Sequence, residues 1–350
     1  MPPTTPTTDP AAPPPAPGGA ARVFRAARGA RPARTLRRRA VAAAAAGLTA
    51  LSLTACGANP PEVEGILGED GGSGGLGADD LKQTMDRALH DRLPASIRDS
   101  GRMVSVNNGS FPPYEIAGSD GRSLTGASED LAVALGHLLG VRIEHVTVDG
   151  LPGSLTGIKA GRYDFAIGPV GDFPSRQKSN DFVDWVQEFV VFAVRKGNPE
   201  RIRSIDDTCG LRIAVMAGGS AEEVIKKRSG RCASEGRPPI QVQSYKDQPT
   251  SVLSVRSGRA DAFFSSQAPL TYFVKQAGDG LELAGTGQRN GFKDLYQGAV
   301  VGKGSPLGPV LKDAIARLIA NGTYKKIMQK WGLAANMLPQ PGINLAKDEL

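Results

Sequence analysis

The sequence is short of the residues that build metal centres and covalent active sites. Its 350 residues hold three histidines (His90, His137 and His145) and three cysteines. Past residue 145 there is no imidazole at all, which argues against a multi-histidine metal centre and a Cys–His nucleophile. No metal, no cofactor and no catalytic residue is expected. No repeat of about 20–50 residues is visible, which excludes solenoid and propeller architectures. Outside one segment, the chain also lacks any excess of charge. The formal net charge is +7, but residues 1–55 hold eight arginines between Arg22 and Arg39 against the single acid Asp9. From totals of 42 and 35, this leaves 34 basic and 34 acidic residues in the remainder. A basic face on the folded part is therefore excluded, and no nucleic-acid partner is expected.

The basic segment reads as an address. Residues 1–20 are rich in Pro, Ala and Thr and cannot bury a core. The run RPARTLRRR is followed by mildly apolar residues from Ala40 to Ala55, too short for a membrane span and suited to a signal h-region. It closes on Leu53-Thr54-Ala55-Cys56, which resembles a bacterial lipobox with Cys56 as the lipidated residue. A diacylglyceryl anchor supplies the two acyl chains that stable membrane attachment needs. The expectation is an exported protein, lipid-anchored on the outer face of the cell membrane. Residues 56–80 are rich in Gly and acids and read as a flexible tether. Export makes Cys209 and Cys232 an expected disulfide.

From residue 81 the pattern alternates strands and helices in two successive blocks. The predicted fold class is α/β with two lobes. Residues 81–194 and 297–335 are assigned to the first lobe, 195–296 to the second and 336–350 to a C-terminal tail. Two hinge crossings are expected, near Val194–Lys196 and Gln297–Gly302.

Six ordered motifs in this frame resemble one family. Met103–Val106 before Ser110-Phe111-Pro112-Pro113-Tyr114-Glu115 is similar to its opening strand and aromatic loop. Gly121…Gly126 before Glu129-Asp130-Leu131-Ala132, Ala160-Gly161-Arg162-Tyr163-Asp164, and Phe173-Pro174-Ser175-Arg176 with Asp181-Phe182 follow in order. Ser257-Gly258-Arg259-Ala260-Asp261-Ala262 and Gly322…Lys330-Trp331-Gly332 complete the set. These resemble the family 3 extracellular solute-binding proteins of ABC importers, the polar amino-acid binders, over about residues 100–335. The resemblance implies a periplasmic-binding fold of type II, no catalysis and a small-molecule ligand bearing a carboxylate. It also implies an ABC permease as partner, and the chain is expected to act as a monomer.

The resemblance assigns Arg176 to the ligand carboxylate, a role suited to a planar guanidinium fork. Gly219 and Ser220 match a turn at a helix start in the second lobe, where free N–H groups favour an anion, although Ser220 also suits an N-cap. Phe111 is the aromatic expected over the ligand, with Tyr114 and Asn108 beside it. Gly168 and Gly171 bound the stretch that receives ligand polar groups, yet Pro169 has no N–H to offer there. Where the family places an acid for the α-ammonium, this chain has Ser266, so Asp172, Glu115 or another acid must substitute or the ligand lacks a free α-ammonium. Two alternatives share the fold: a ligand-sensing surface lipoprotein, and a dehydratase-like enzyme, for which the cleft offers only Glu115 and Asp172 as acid–base groups.

Overall fold

The computed structural model describes residues 77–348. The signal segment, Cys56 and most of the tether lie outside the described residues. Two short helices, α1 (Arg87–His90) and α2 (Ala95–Ser100), precede the first strand. The first sheet collects β1 (Arg102–Asn107), β5 (Arg142–Thr147), β6 (Phe165–Gly171), β7 (Asn180–Glu188), β13 (Leu295–Gly302) and β14 (Met337–Ile343) in the order β14-β7-β13-β6-β1-β5. β5, β1 and β6 run parallel, whereas β13, β7 and β14 join antiparallel. Three small strands, β2 (Ser110–Phe111), β3 (Glu115–Ala117) and β4 (Leu124–Thr125), form a separate flap after β1.

The apolar stripe of α3 (Ala127–Leu139), with Leu131, Leu135, Leu138 and Leu139 at one-face spacing, packs on this sheet with α9 (Leu307–Ala320) and α10 (Thr323–Lys330). Trp185, Met103 and Phe165 are fully buried beneath them. On the opposite face, α4 (Gly150–Lys159) sets Ile158 against Val106, Ala166 and Phe182. One-turn α5 (Pro174–Gln177) follows β6.

The second sheet is built from β8 (Val190–Arg195), β9 (Arg212–Met216), β10 (Gln241–Tyr245), β11 (Ala262–Ser266) and β12 (Leu281–Ala284) in the order β10-β9-β11-β8-β12. α6 (Ser220–Ser234) covers one face through Val224, Ile225 and Cys232. α7 (Gln248–Arg256) and α8 (Gln267–Ala277) cover the other through Val252, Val255, Leu270 and Phe273. A disulfide joins Cys209 to Cys232 on α6, as expected, with the Cα atoms 5.7 Å apart.

The lobe boundaries differ from the sequence expectation in three places. β7 ends in the first sheet at Glu188 and β8 begins in the second at Val190, so the first crossing is Phe189 and not Val194–Lys196. The apolar run 189–194 says strand but not which sheet, because either interior accepts it. β7 itself carries Asn180, Asp181, Asp184 and Gln187, whose polarity hides a central strand. The chain returns to the first sheet at Leu295, opposite Glu188, ahead of the expected crossing at Gln297–Gly302, which lies within β13, so the two crossings lie side by side. Asn290 pins the return loop to the second lobe: its amide donates to the carbonyls of Val190 (2.7 Å) and Gly285 (2.8 Å) and its oxygen accepts from Ile205 N–H (3.1 Å). The third difference is the segment expected as a tail, which supplies β14 at the edge of the first sheet. No helix among the described residues is long and apolar enough to cross a membrane.

Candidate ligand-binding cleft

The cleft opens where the two sheets face each other at the crossings, enclosing about 720 Å³ partly open to solvent. Carboxyl ends of parallel strands converge there, as they do at switch points of α/β sheets. The first lobe contributes Asn107 and Asn108 from the end of β1, Phe111 from β2, Glu115 from β3, Gly171 from β6 and Arg176 from α5. The second contributes Gly219 and Ser220 at the start of α6, with Ser265 and Ser266 from the end of β11.

Arg176 lies across the opening. Its guanidinium donates to the carbonyl of Gly171 in its own lobe (2.9 Å) and to that of Gly218 in the other (2.9 Å). The remaining N–H bonds of the fork stay available for a carboxylate. The Phe173 ring lies 5.2 Å below the guanidinium carbon and fixes its plane. Burial lowers its pKa from the ordinary range, and the charges of Glu223 and Asp172 oppose that shift. Gly171 fits this packing because a Cβ there would come within 2.7 Å of the Phe173 ring.

Across the cleft, the turn before α6 is held by Glu222, which accepts from Gly218 N–H (2.7 Å). Gly219 is the N-cap and Ser220 is the first helical residue, so Ser220 does not take the N-cap place. Gly219, Ser220 and Ala221 at this helix start line the cleft, which places the positive helix end at its wall, an arrangement suited to an anion.

Among the described residues, Glu115 is the one carboxylate lining the cleft. It is buried, and burial pushes its pKa up to about 8. Asp172 is fully buried outside the lining and is engaged by the Gln177 amide (2.8 Å) and the Ala346 N–H (2.9 Å). Of the two substitutes for the missing acid, Glu115 is therefore the one at the cleft. Ser266 lies where the motif placed it, and its hydroxyl accepts weakly from the Gln297 amide (3.4 Å). Gln297 lines the same cleft, and its buried Oε1 has no hydrogen-bond partner among the described residues. Sequence reasoning missed Gln297, Leu151 and Met216 as lining residues. Nothing local marks them, since each reaches the cleft only because its element packs there.

Two expected site residues lie behind the cleft. Tyr114 is fully buried, stacks on Phe111 at 5.7 Å and meets Trp185 edge-on at 5.8 Å. Its hydroxyl donates to Glu188 (2.6 Å), the last residue before the crossing. It supports Phe111, because an aromatic with a hydroxyl is buried most readily where that hydroxyl finds an acceptor. Gly168 does not line the cleft either. Its carbonyl accepts from the Ser128 hydroxyl, and a Cβ at its positive φ would come within 2.2 Å of the Gly298 carbonyl, so the glycine serves strand approach. Asn108 lines the cleft with its side-chain oxygen turned back to Ser110 N–H (3.2 Å). Among the described residues, no group of three or more His, Cys, Asp or Glu is placed to hold a metal ion.

Comparison with known proteins agrees with this geometry. The chain is 28% identical over 258 residues to the arginine-binding protein ArgT of Corynebacterium glutamicum, covering 72% of this chain and 81% of that protein. It is 28% identical over 239 residues to the L-cystine-binding protein TcyJ of Escherichia coli, covering 67% and 84%. A solved ancestral arginine-binding protein bound to arginine superposes with a TM-score of 0.59 at 27% identity, over 66% of this chain and 98% of that one. Residues 103–334 match the profile of one family, and with the two-lobed fold and the cleft between its lobes they show that the chain belongs to the bacterial extracellular solute-binding proteins, family 3.

Proposed function

We propose that the protein captures an amino acid or close derivative outside the cell and delivers it to an ABC permease, working as a monomer tethered by lipid at Cys56. One observation carries this reading: Arg176 of the first lobe and the start of α6 of the second meet across a cleft whose only lining carboxylate among the described residues is Glu115. The ligand carboxylate takes the Arg176 fork and the N–H groups at Ser220, so binding draws the lobes together. A cationic group of the ligand takes Glu115, whose charge is costly in the buried cleft until a partner arrives. The Gln297 Oε1, beside Ser266, accepts from a ligand N–H in place of the acid that Ser266 replaces. Phe111 covers the ligand's apolar part. The protein is a binder without a catalytic step.

Calorimetry with the standard amino acids on the mature protein tests the reading. Sub-millimolar binding that weakens roughly a hundredfold in Arg176→Ala is expected, and no binding by any amino acid overturns it. Anchoring is tested separately: Cys56→Ala should release the protein from membranes, and retention of the variant would refute a lipid at that residue.

A further inference from the structure

The segment past the family match, residues 335–348, holds the loop that carries Arg176. After β14, Asn344 locks onto β7: its N–H donates to the Phe182 carbonyl (3.0 Å), its side-chain oxygen accepts from Phe182 N–H (2.9 Å), and its amide donates to Asp181 (2.9 Å). The next two residues turn their backbone N–H groups onto two fully buried acids, Leu345 to Asp184 (3.0 Å) and Ala346 to Asp172 (2.9 Å). Gln177 closes the arrangement, with its amide donating to both Asp172 (2.8 Å) and the Ala346 carbonyl (2.9 Å). Asp172 and Gln177 are the residues just before and at the end of the stretch Phe173–Gln177, which contains α5 and Arg176.

A four-residue helix does not hold its own shape in water, so α5 takes its geometry from what grips its ends. Two buried carboxylates are tolerated only where donors reach them. The segment supplies one backbone donor to each. Burial first, and the charge of Asp172 second, raise the Asp184 carboxyl well above its ordinary range. The charge of Asp172 also acts on Arg176, against the effect of burial. Protection of a sheet edge would require β14 alone, whereas residues 344–346 leave the strand and contact the arginine loop.

We propose that residues 344–346 are a positioning strap for Arg176, and that ligand affinity depends on the strap although it does not line the cleft. The proposal rests on the carboxylate role of Arg176 for its effect on binding. Two readouts on the mature protein separate the questions. Hydrogen exchange is measured on Ala346→Pro, which removes the N–H that reaches Asp172, on Ala346→Gly, which keeps it, and on a chain ending at Ile343. Amides of residues 173–177 should exchange about tenfold faster in Ala346→Pro and in the truncation than in Ala346→Gly, while α9 and β9 keep wild-type protection. Calorimetry with L-arginine, L-glutamine and L-cystine as probes should show roughly fivefold or greater weakening in Ala346→Pro relative to Ala346→Gly for whichever probe the wild type binds. Equal exchange and equal affinity in the two point variants overturn the strap, and if the truncation fails to fold the point variants still decide. A wild type that binds none of the probes counts against the ligand reading, while the exchange comparison still judges the strap.

Discussion

The two lobes supply different kinds of chemistry to one cleft. The first brings charged side chains on short, supported elements: Arg176 on one-turn α5 and Glu115 on a three-residue strand. The second brings backbone and small hydroxyls, namely the start of fifteen-residue α6 with Ser220, and Ser265 and Ser266 at the end of β11. The supports differ in kind as well. α6 is stapled by the Cys209–Cys232 disulfide, and its buried Arg228 reaches Glu235 (2.8 Å). α5 depends on the non-covalent hydrogen bonds around Asp172. On the proposed reading, such a site reads charge on one side and closes on the other, because a helix start offers directed N–H groups without choosing a side chain.

The sharpest test of that division is Arg176→Ala. It should weaken binding of a carboxylate ligand roughly a hundredfold, about 3 kcal/mol, measured by calorimetry, whereas Ser220→Ala should cost about tenfold or less, since the helix N–H groups remain. Equal losses in both would erase the contrast between the lobes.

Breaking the staple should act on stability more than on recognition. Replacing Cys209 and Cys232 by serine should lower the second lobe's unfolding free energy by about 3 kcal/mol. Hydrogen exchange should quicken in α6 and β9 and stay unchanged in α3 and β1. Uniform acceleration in both lobes would mean that they unfold as one unit.

Glu115 yields a pH test with two opposite signs. Its folded-state pKa of about 8 lies above the ordinary glutamate value. In the free protein, its stabilising contribution is present at low pH and is lost as pH rises through about 8. A cationic ligand must displace the proton below that pH, so affinity should rise by up to about tenfold per unit from pH 6 toward 8 and then level off. Glu115→Gln should flatten the affinity profile, and its melting temperature should fall less between pH 7 and 9. The smallest expected effect is that of Tyr114→Phe. Loss of the bond to Glu188 should cost about 1 kcal/mol of stability and leave ligand affinity within about twofold. A larger loss of affinity would return Tyr114 to the cleft wall.

Much of this was legible beforehand. The spacing of Leu131, Leu135 and Leu138 matches the 3.6-residue helical period and marks α3, and the glycine at Gly140 marks its stop. Arg176, Phe111, Ser220 and Ser266 were placed by motif and all line the cleft. β7 was not legible, because its polar residues are satisfied by distant partners such as Lys303 and Leu345 that no local window contains. Tyr114 was misplaced for a related reason: an aromatic next to a site motif looks the same whether it faces the ligand or the core.

By itself, the sequence determined the α/β alternation, the neutral balance past the arginine-rich segment, the pairing of Cys209 with Cys232 and the arginine that faces the cleft. These follow from periodicity, composition and residue chemistry, which are local properties. Only the tertiary structure decided that the first crossing is Phe189, that Glu115 and not Asp172 faces the cleft, and that the C-terminal segment grips the arginine loop. Each of those depends on where a buried polar group finds its partner, and that partner lies far along the chain, where only packing can bring it.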